Sequence, residues 1–495
     1  MFGCCGCLTA FPGGVAENTT AEGGVGANAR LQFLGGVRFS GTVYSSSMQT
    51  APSLSRELIR FALPVLVAQL ALMANAVIDT AMAGRLSAVD LAAVGIGAAI
   101  MGTVLMSLIS VLLAMPPIIA HLYGAGRRAE IGRELHQSVW IALGLAVVAI
   151  LLLVFPEPFV RLAALQPAVE VKVRAYLSAS AWGVPATIAL RLFFGLSTGI
   201  GRPRPVMTFN LLALGLKVPL NAVFMFGLFG FPALGGPGAA YATAVDQWLM
   251  AAAAWGWCLN HAGYTEFRMR APFAAPDWQA IRAFLKLGLP IGLTFVADVT
   301  AFTFMALFIA RLGPVVSGAH QIAANLAAAA FMFPLALGNA TSALAGHALG
   351  AGNRERARRI SWRAVRLGVS VGLVISLTCW LGAPWIAALY TTDHAVQAAA
   401  IPLIILVGFY HLGDSVQAVA VNALRGYKKS TVPMVIYATL LWGPGLGGGV
   451  VLGLTDFFGP ARGAAGFWLA AIGALWVVAA LMAFYLNRIS RVERA

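Results

Sequence analysis

The 495-residue chain is 60% hydrophobic and only 10% charged, against roughly 45–50% and 25% in a soluble domain. That balance excludes a soluble core with a single anchor and points to a polytopic membrane protein. The net charge of +15 would suggest nucleic acid in a soluble protein. Here the basic residues fall in short segments between apolar spans, so topology accounts for them and no nucleic-acid partner is expected.

In chain order, residues 1–50 read as a disordered N-terminal extension. They are rich in Gly, Ser and Thr and have neither a charged leader nor a long apolar run, so they do not read as a signal peptide. Met48 immediately precedes the start of ordinary membrane sequence, which makes residues 1–47 an extension or a mis-called start. Cys4, Cys5 and Cys7 crowd this segment, and Cys258 and Cys379 lie in apolar spans. No spacing among them suggests a disulfide framework or a metal site.

Twelve apolar spans follow, near 58–83, 91–122, 135–155, 174–198, 205–231, 236–260, 284–310, 316–348, 364–389, 396–423, 432–454 and 463–486. Each is long enough to cross a bilayer as a helix. The expected fold is therefore an all-α polytopic membrane protein of twelve transmembrane helices. Assigning alternate loops to opposite sides, with residues at span ends counted in the adjoining loop, puts 25 of the 33 Lys and Arg with the two termini and 6 on the other face, with Arg191 and Lys217 deep inside spans. Basic segments face the cytoplasm, so both termini are expected there, in a multi-pass protein of the cytoplasmic (inner) membrane.

The chain also repeats itself. Ala120-His121-Leu122-Tyr123-Gly124-Ala125-Gly126 is echoed by Gly346-His347-Ala348-Leu349-Gly350-Ala351-Gly352. At the same offset Pro64 meets Pro290 and Arg85-Leu86 meets Arg311-Leu312. Nearly the same offset pairs Gly199 with Gly426, and Gly238-Ala239-Ala240 with Gly463-Ala464-Ala465. A steady offset across six spans implies two pseudo-symmetric six-helix bundles related by an axis along the membrane normal, with a cleft between them. The expected organisation is a first half at 51–265, a cytoplasmic linker at 266–283 and a second half at 284–495.

Of 18 acids, only Asp79, Asp246, Asp298 and Asp414 fall well inside spans. A mid-span Asp costs about 2.5 to 3.5 kcal/mol on insertion scales, and such residues mark functional sites by default. They are not repeat-equivalent, since Asp298 maps back to Leu72 and Asp414 to Thr187. For Asp298 and Asp414 nearby spans offer no basic partner. Each is a structural hydrogen bond between helices, a carboxylate that exchanges a proton because desolvation favours its neutral form, or a ligand for Na⁺. Asp79 shares its half with Lys217 and Asp246. That group is either a buried pair that only holds helices together or an ion pair whose exchange couples proton movement to helix bending, unless Lys217 snorkels to the cleft surface.

Pro64, Pro185, Pro219, Pro290 and Pro334 lie within spans, where each removes a backbone bond and permits a kink. Pro64 and Pro290 are the hinge candidates. Phe302, Phe331, Met332 and other Met and Phe residues read as lipid-facing or core, a few as the lining of an adaptable pocket. Enzyme signatures fail. Gly195-Leu196-Ser197-Thr198-Gly199 fits G-x-S-x-G, but ends a membrane helix instead of turning from a strand. Gly443-Pro444-Gly445-Leu446-Gly447-Gly448 fits G-x-G-x-x-G without a βαβ context. With no Walker A or H-E-x-x-H motif, no catalytic residue, cofactor or enzymatic activity is expected.

The run Pro64-Val65-Leu66 … Val77-Ile78-Asp79-Thr80-Ala81-Met82-Ala83-Gly84 resembles the first helix of multidrug and toxic compound extrusion (MATE) transporters, as do Gly124-Ala125-Gly126-Arg127 and Val218-Pro219-Leu220-Asn221. In the second half, Ala319-His320-Gln321-Ile322, Phe331-Met332-Phe333-Pro334, Leu424-Arg425-Gly426-Tyr427-Lys428 and Gly466-Phe467-Trp468-Leu469 resemble the NorM-like branch. The resemblance covers residues 52–487. It implies a monomeric Na⁺- or H⁺-coupled antiporter that expels cationic, amphiphilic drugs by alternating access, with membrane lipids as its other partners. It also implies a cation site formed by Asp298 and Asp414 with Tyr410, where Na⁺ could bind, and N-lobe coupling or gating by Asp79 with Asn221. Asp298-Val299-Thr300 stands where that branch has Glu-Val-Thr, and Lys217 stands where it has Asn. A fixed ammonium beside Asp79 argues against Na⁺ in that half. The alternatives are a lipid-linked precursor flippase of the wider superfamily, which would be expected to show a more cationic cavity, and an intramembrane enzyme, for which the sequence supplies no catalytic pair.

Overall fold

The computed structural model describes residues 53–163 and 165–491; the expected N-terminal extension lies outside them. Among the described residues the regular structure is helical throughout. Twelve long helical segments follow one another: α1 Leu54–Gly84, α2 Ala88–Gly124, α3 Arg128–Val154, α4 Pro167–Gly199, α5 Arg204–Phe226, α6 Pro237–Asn260, α7 Trp278–Ala310, α8 Pro314–Gly350, α9 Arg354–Tyr390, α10 His394–Gly426, α11 Thr431–Leu454 and α12 Ala464–Ser490. Eleven are both long and apolar enough to span a membrane. The remaining one, α6, has 24 residues, but Thr243, Asp246 and Gln247 dilute its apolar character. The chain is thus an integral multi-pass membrane protein.

The helices begin where capping chemistry permits. Ser87, Asp277, Asn353 and Asp393 each accept a backbone N–H from the first turn of the helix that follows. Prolines occupy the first turn of α4, α6 and α8, where the missing N–H costs nothing. Two sequence boundaries move as a result. The Asp277 cap starts α7 at Trp278, so the last six residues of the expected 266–283 linker are helical. Helix α9 starts at Arg354, ten residues before the expected span, because its Arg-rich first turns are too polar for a hydropathy reading.

Two helices depart from regular α geometry. A 3₁₀ turn at Ser110–Ala114 interrupts α2, and a wider π-type turn at Leu441–Gly447, around Pro444, interrupts α11. Pro64 and Pro290 both sit buried inside unbroken stretches of α1 and α7.

The internal repeat is visible in hydrogen bonds. His121 Nε2 lies 2.8 Å from the Gly426 carbonyl, and its repeat partner His347 places Nε2 2.7 Å from the Gly199 carbonyl. Gly199 and Gly426 are themselves repeat partners, so each half reaches into the equivalent place on the other. Glycine makes the approach possible: a Cβ on Gly124 would sit 2.1 Å from the His347 oxygen, and one on Gly350 would sit 2.1 Å from the His121 oxygen. The same device recurs where α7 meets α2, with Gly288 against Val111. Small residues at helix crossings are how membrane helices gain van der Waals contact when lipid is as apolar as the interface.

In the second half α10 is the central helix. Its backbone at His411 and Ser415 passes close to Gly372 and Gly368 of α9, and its residues from Gly413 to Gly426 are almost all buried. That placement encloses polar side chains on α10 deep in the bundle.

Candidate functional site

Helices α7, α8, α10 and α11 enclose a cavity of about 480 Å³. All four belong to the second half. Asp298 on α7 and Asp414 and Tyr410 on α10 line it, so the structure brings together the three residues singled out there from sequence. Asp414 is 3% exposed, and Tyr410 is also buried.

The two carboxylates are differently held. Tyr437 of α11 donates its hydroxyl to Asp298 Oδ1 at 2.5 Å. A phenol to a carboxylate is a charge-assisted bond, which holds the carboxylate in place without neutralising it. Asp414 Oδ2 has no hydrogen-bond partner of that geometry, but His411 Nδ1 lies 3.2 Å away. His411 corrects the expectation that no base lies near either acid. It stands one turn before Asp414 on the same helix, fully buried. Neither it nor Tyr437 was assigned a role from sequence. The i, i+3 spacing from His411 to Asp414 was the available signal; Tyr437 left none, being 139 residues from Asp298 in the chain.

Around the acids the wall is aromatic and amide-bearing. Phe302, Phe331 and Met332 line the cavity, as do Gln417 and Asn422, whereas Phe304 and Phe333 point outward. Trp468 of α12 stacks edge-on against Tyr410 with ring centres 5.7 Å apart, which fixes the tyrosine ring. Arg425, on the same cavity wall, bonds Asn422 at 3.1 Å and lies over the Phe295 ring. An apolar, aromatic pocket with a few convergent polar groups suits a small amphiphilic molecule, and two unneutralised carboxylates suit a positive charge. A Na⁺ ion would find oxygen ligands in Asp298, Asp414, Tyr410 and Gln417, the hard donor type such an ion prefers. Among the described residues no group of three or more His, Cys, Asp or Glu converges as a transition-metal site requires.

The first half is arranged otherwise. Lys217 Nζ of α5 lies 2.8 Å from Asp79 Oδ1 of α1, with the Lys217 side chain 2% exposed. It does not snorkel. Asn221 donates to the same Asp79 oxygen at 2.7 Å, and Lys217 also donates to Thr243 of α6. Asp246, one turn on from Thr243 along α6, is buried with one carboxylate oxygen unbonded. The four first-half candidates therefore meet at a single crossing of α1, α5 and α6. A cavity of about 160 Å³ in this half is lined by Thr243 and Arg191 but not by Asp79.

Comparison with known proteins agrees with this architecture. The MatE family model matches residues 64–223 and 290–443, one match in each half, starting at the repeat-related Pro64 and Pro290. A probable multidrug resistance protein NorM from Chromobacterium violaceum is 39% identical over 439 residues, which is 88% of this chain and 94% of that protein. A multidrug resistance protein MdtK from Yersinia pseudotuberculosis serotype O:1b is 35% identical over 429 residues, covering 86% of this chain and 94% of that protein. Among solved structures, the eukaryotic MATE transporter AtDTX14 superposes with a TM-score of 0.80 at 16% identity over 88% of this chain and 97% of its own. The Vibrio cholerae MATE transporter VcmN in the bent form gives 0.78 at 20% identity, over 89% and 97%. At those identities the structural matches establish the fold.

Proposed function

The chain belongs to the MatE family of transporters, not enzymes, and from that premise we propose that it is a multidrug efflux antiporter. It exports cationic, amphiphilic compounds in exchange for Na⁺ or H⁺ by alternating access. The observation that carries this reading is the second-half cavity, where Asp298 and Asp414 face a space of about 480 Å³ with no fixed cation on either. The relatives named as multidrug resistance proteins support the same reading. The positive-inside distribution of Lys and Arg supports a cytoplasmic-membrane location with both termini inside.

The roles follow from geometry. A substrate cation and the coupling ion compete for Asp298 and Asp414, so the site holds one or the other. Tyr437 positions the Asp298 carboxylate, Tyr410 lines the same space, and Phe302, Phe331 and Met332 supply an apolar wall that adapts to different substrates. In the first half, Lys217 pairs with Asp79 and bonds Thr243, one turn from Asp246, and a change of partner from Asp79 to Asp246 would alter the crossing of α1 with α5 and α6. That makes the crossing a gate coupled to α1 movement, with Pro64 and Pro290 the points at which α1 and α7 bend.

The test is efflux of a fluorescent organic cation from proteoliposomes under an imposed pH or Na⁺ gradient. Gradient-driven efflux by the unmodified protein, lost in Asp298→Asn, is the expected result. Absence of efflux under every gradient would refute the assignment.

A further inference from the structure

Arg191 lies deep in α4 and takes no part in the arrangements above. It stands eight residues before the Gly199 end of the helix, about 12 Å along its axis. Its side chain is half-buried and lines the first-half cavity of about 160 Å³, which α1, α2, α4, α5 and α6 enclose. Among the described residues the guanidinium has no hydrogen-bond acceptor and no carboxylate partner. The arginines that lie over an aromatic ring are others. An arginine at membrane depth is costly, and such residues are normally paired or mark the path of an ion.

The acids of this half are engaged elsewhere. Asp79 is bonded by Lys217 and Asn221, and Asp246 feels the charges of Lys217 and Asp79 rather than that of Arg191. The hydroxyls on the cavity wall give their protons to their own helices: Ser180, Thr187 and Thr243 donate to the carbonyls of Tyr176, Gly183 and Ala239. Asn210 gives one amide N–H to the Val206 carbonyl, and Gln247 has no hydrogen-bond partner among the described residues. The donors left on this wall are therefore those of the Arg191 guanidinium, both of Gln247 and one of Asn210. The rest of the wall is apolar. A fixed positive charge with surplus N–H donors and no acid in contact is the complement of an anion. The space takes a small ion with a few waters and is too small for a drug-sized molecule.

We propose that this cavity binds a small monovalent anion of the chloride class, held by Arg191 with the amides of Gln247 and Asn210. The anion neutralises the arginine where no protein carboxylate does so. Thr243, whose hydroxyl accepts from Lys217, belongs to the same wall, so the anion sits one side chain away from the Lys217–Asp79 pair. Occupancy stabilises the first half, because α4, α5 and α6 all contribute donors. The site does not depend on the reading of the second-half cavity.

The experiment is thermal unfolding of the full-length protein in detergent, titrated from sodium gluconate into sodium chloride at constant Na⁺ and ionic strength. Holding ionic strength constant removes the general screening of surface charge. The midpoint of the unmodified protein should rise with chloride and saturate, the behaviour of a ligand that binds the folded state. Arg191→Gln should abolish the rise, and Gln247→Leu should weaken the apparent chloride affinity several-fold. A midpoint that ignores chloride in the unmodified protein, or that rises equally in Arg191→Gln, would overturn the proposal. Crystals of the unmodified protein soaked in bromide give a readout that needs no variant to fold. An anomalous peak beside the Arg191 guanidinium supports the site, and the absence of a peak in this cavity contradicts it.

Discussion

The two halves share a fold but treat their buried acids in opposite ways. In the first half Asp79 is already matched: Lys217 and Asn221 both bond its Oδ1, and Lys217 is almost wholly enclosed. In the second half Asp298 and Asp414 face a cavity with a phenol and an imidazole for company and no fixed cation in contact. A carboxylate with a built-in ammonium has little affinity to offer an arriving cation. One without it has affinity to spare, and pays for its burial only when something positive binds. The repeat supplied two similar scaffolds, and the placement of one lysine separates a crossing that is held from a site that exchanges.

The sharpest way to break this comparison is to remove Lys217. Lys217→Ala leaves Asp79 buried without its partner, and removing one member of a buried pair costs about 3–5 kcal/mol. A thermal-unfolding series in detergent should show that loss, with much of it recovered in the Lys217→Ala/Asp79→Asn double variant. Asp298→Asn should leave the unfolding midpoint nearly unchanged, because no protein cation loses its partner.

Cation binding should respond in the reverse pattern. Asp414→Asn should weaken equilibrium binding of an organic cation at least tenfold, or about 1.4 kcal/mol, whereas Asp246→Asn should leave it within a factor of about two. Equal losses in both would erase the distinction between halves. Tyr437→Phe removes one hydrogen bond to a charged group, worth about 1.5–3 kcal/mol in general. It should raise the substrate concentration for half-maximal efflux while leaving the maximal rate nearer to normal. The smallest effect belongs to the interface that the halves share. His121→Ala and His347→Ala each delete one equivalent hydrogen bond, so both should destabilise by about 1 kcal/mol and by the same amount. Unequal losses would mean that the symmetry seen in their geometry is not a symmetry of energy.

Much of the architecture was legible in the sequence because membrane helices announce themselves by length and apolarity, and because the repeat left His121 and His347 at a fixed offset. The depth of an acid along its helix was legible too, which is why Asp298, Asp414 and Asp79 stood out. What hydropathy does not carry is rotation. Whether Lys217 points at Asp79, at lipid or at the cleft depends on how α5 is turned against α1, and only the packed structure selects the first. Tyr437 was hidden for the same reason, its partner being a chain-length of several helices away. His411 was in view beside Asp414, but a histidine in a buried helix more often fills space than carries charge. Its 3.2 Å approach to the carboxylate is a matter of side-chain placement that hydropathy does not carry.

The most direct measurement is gradient-driven efflux of a fluorescent cation from proteoliposomes containing the unmodified protein, Asp298→Asn or Asp414→Asn, under imposed pH and Na⁺ gradients in turn. Efflux should be present in the first and lost in both variants while each remains folded. Normal efflux by both variants under every gradient would contradict a cation site in the second half.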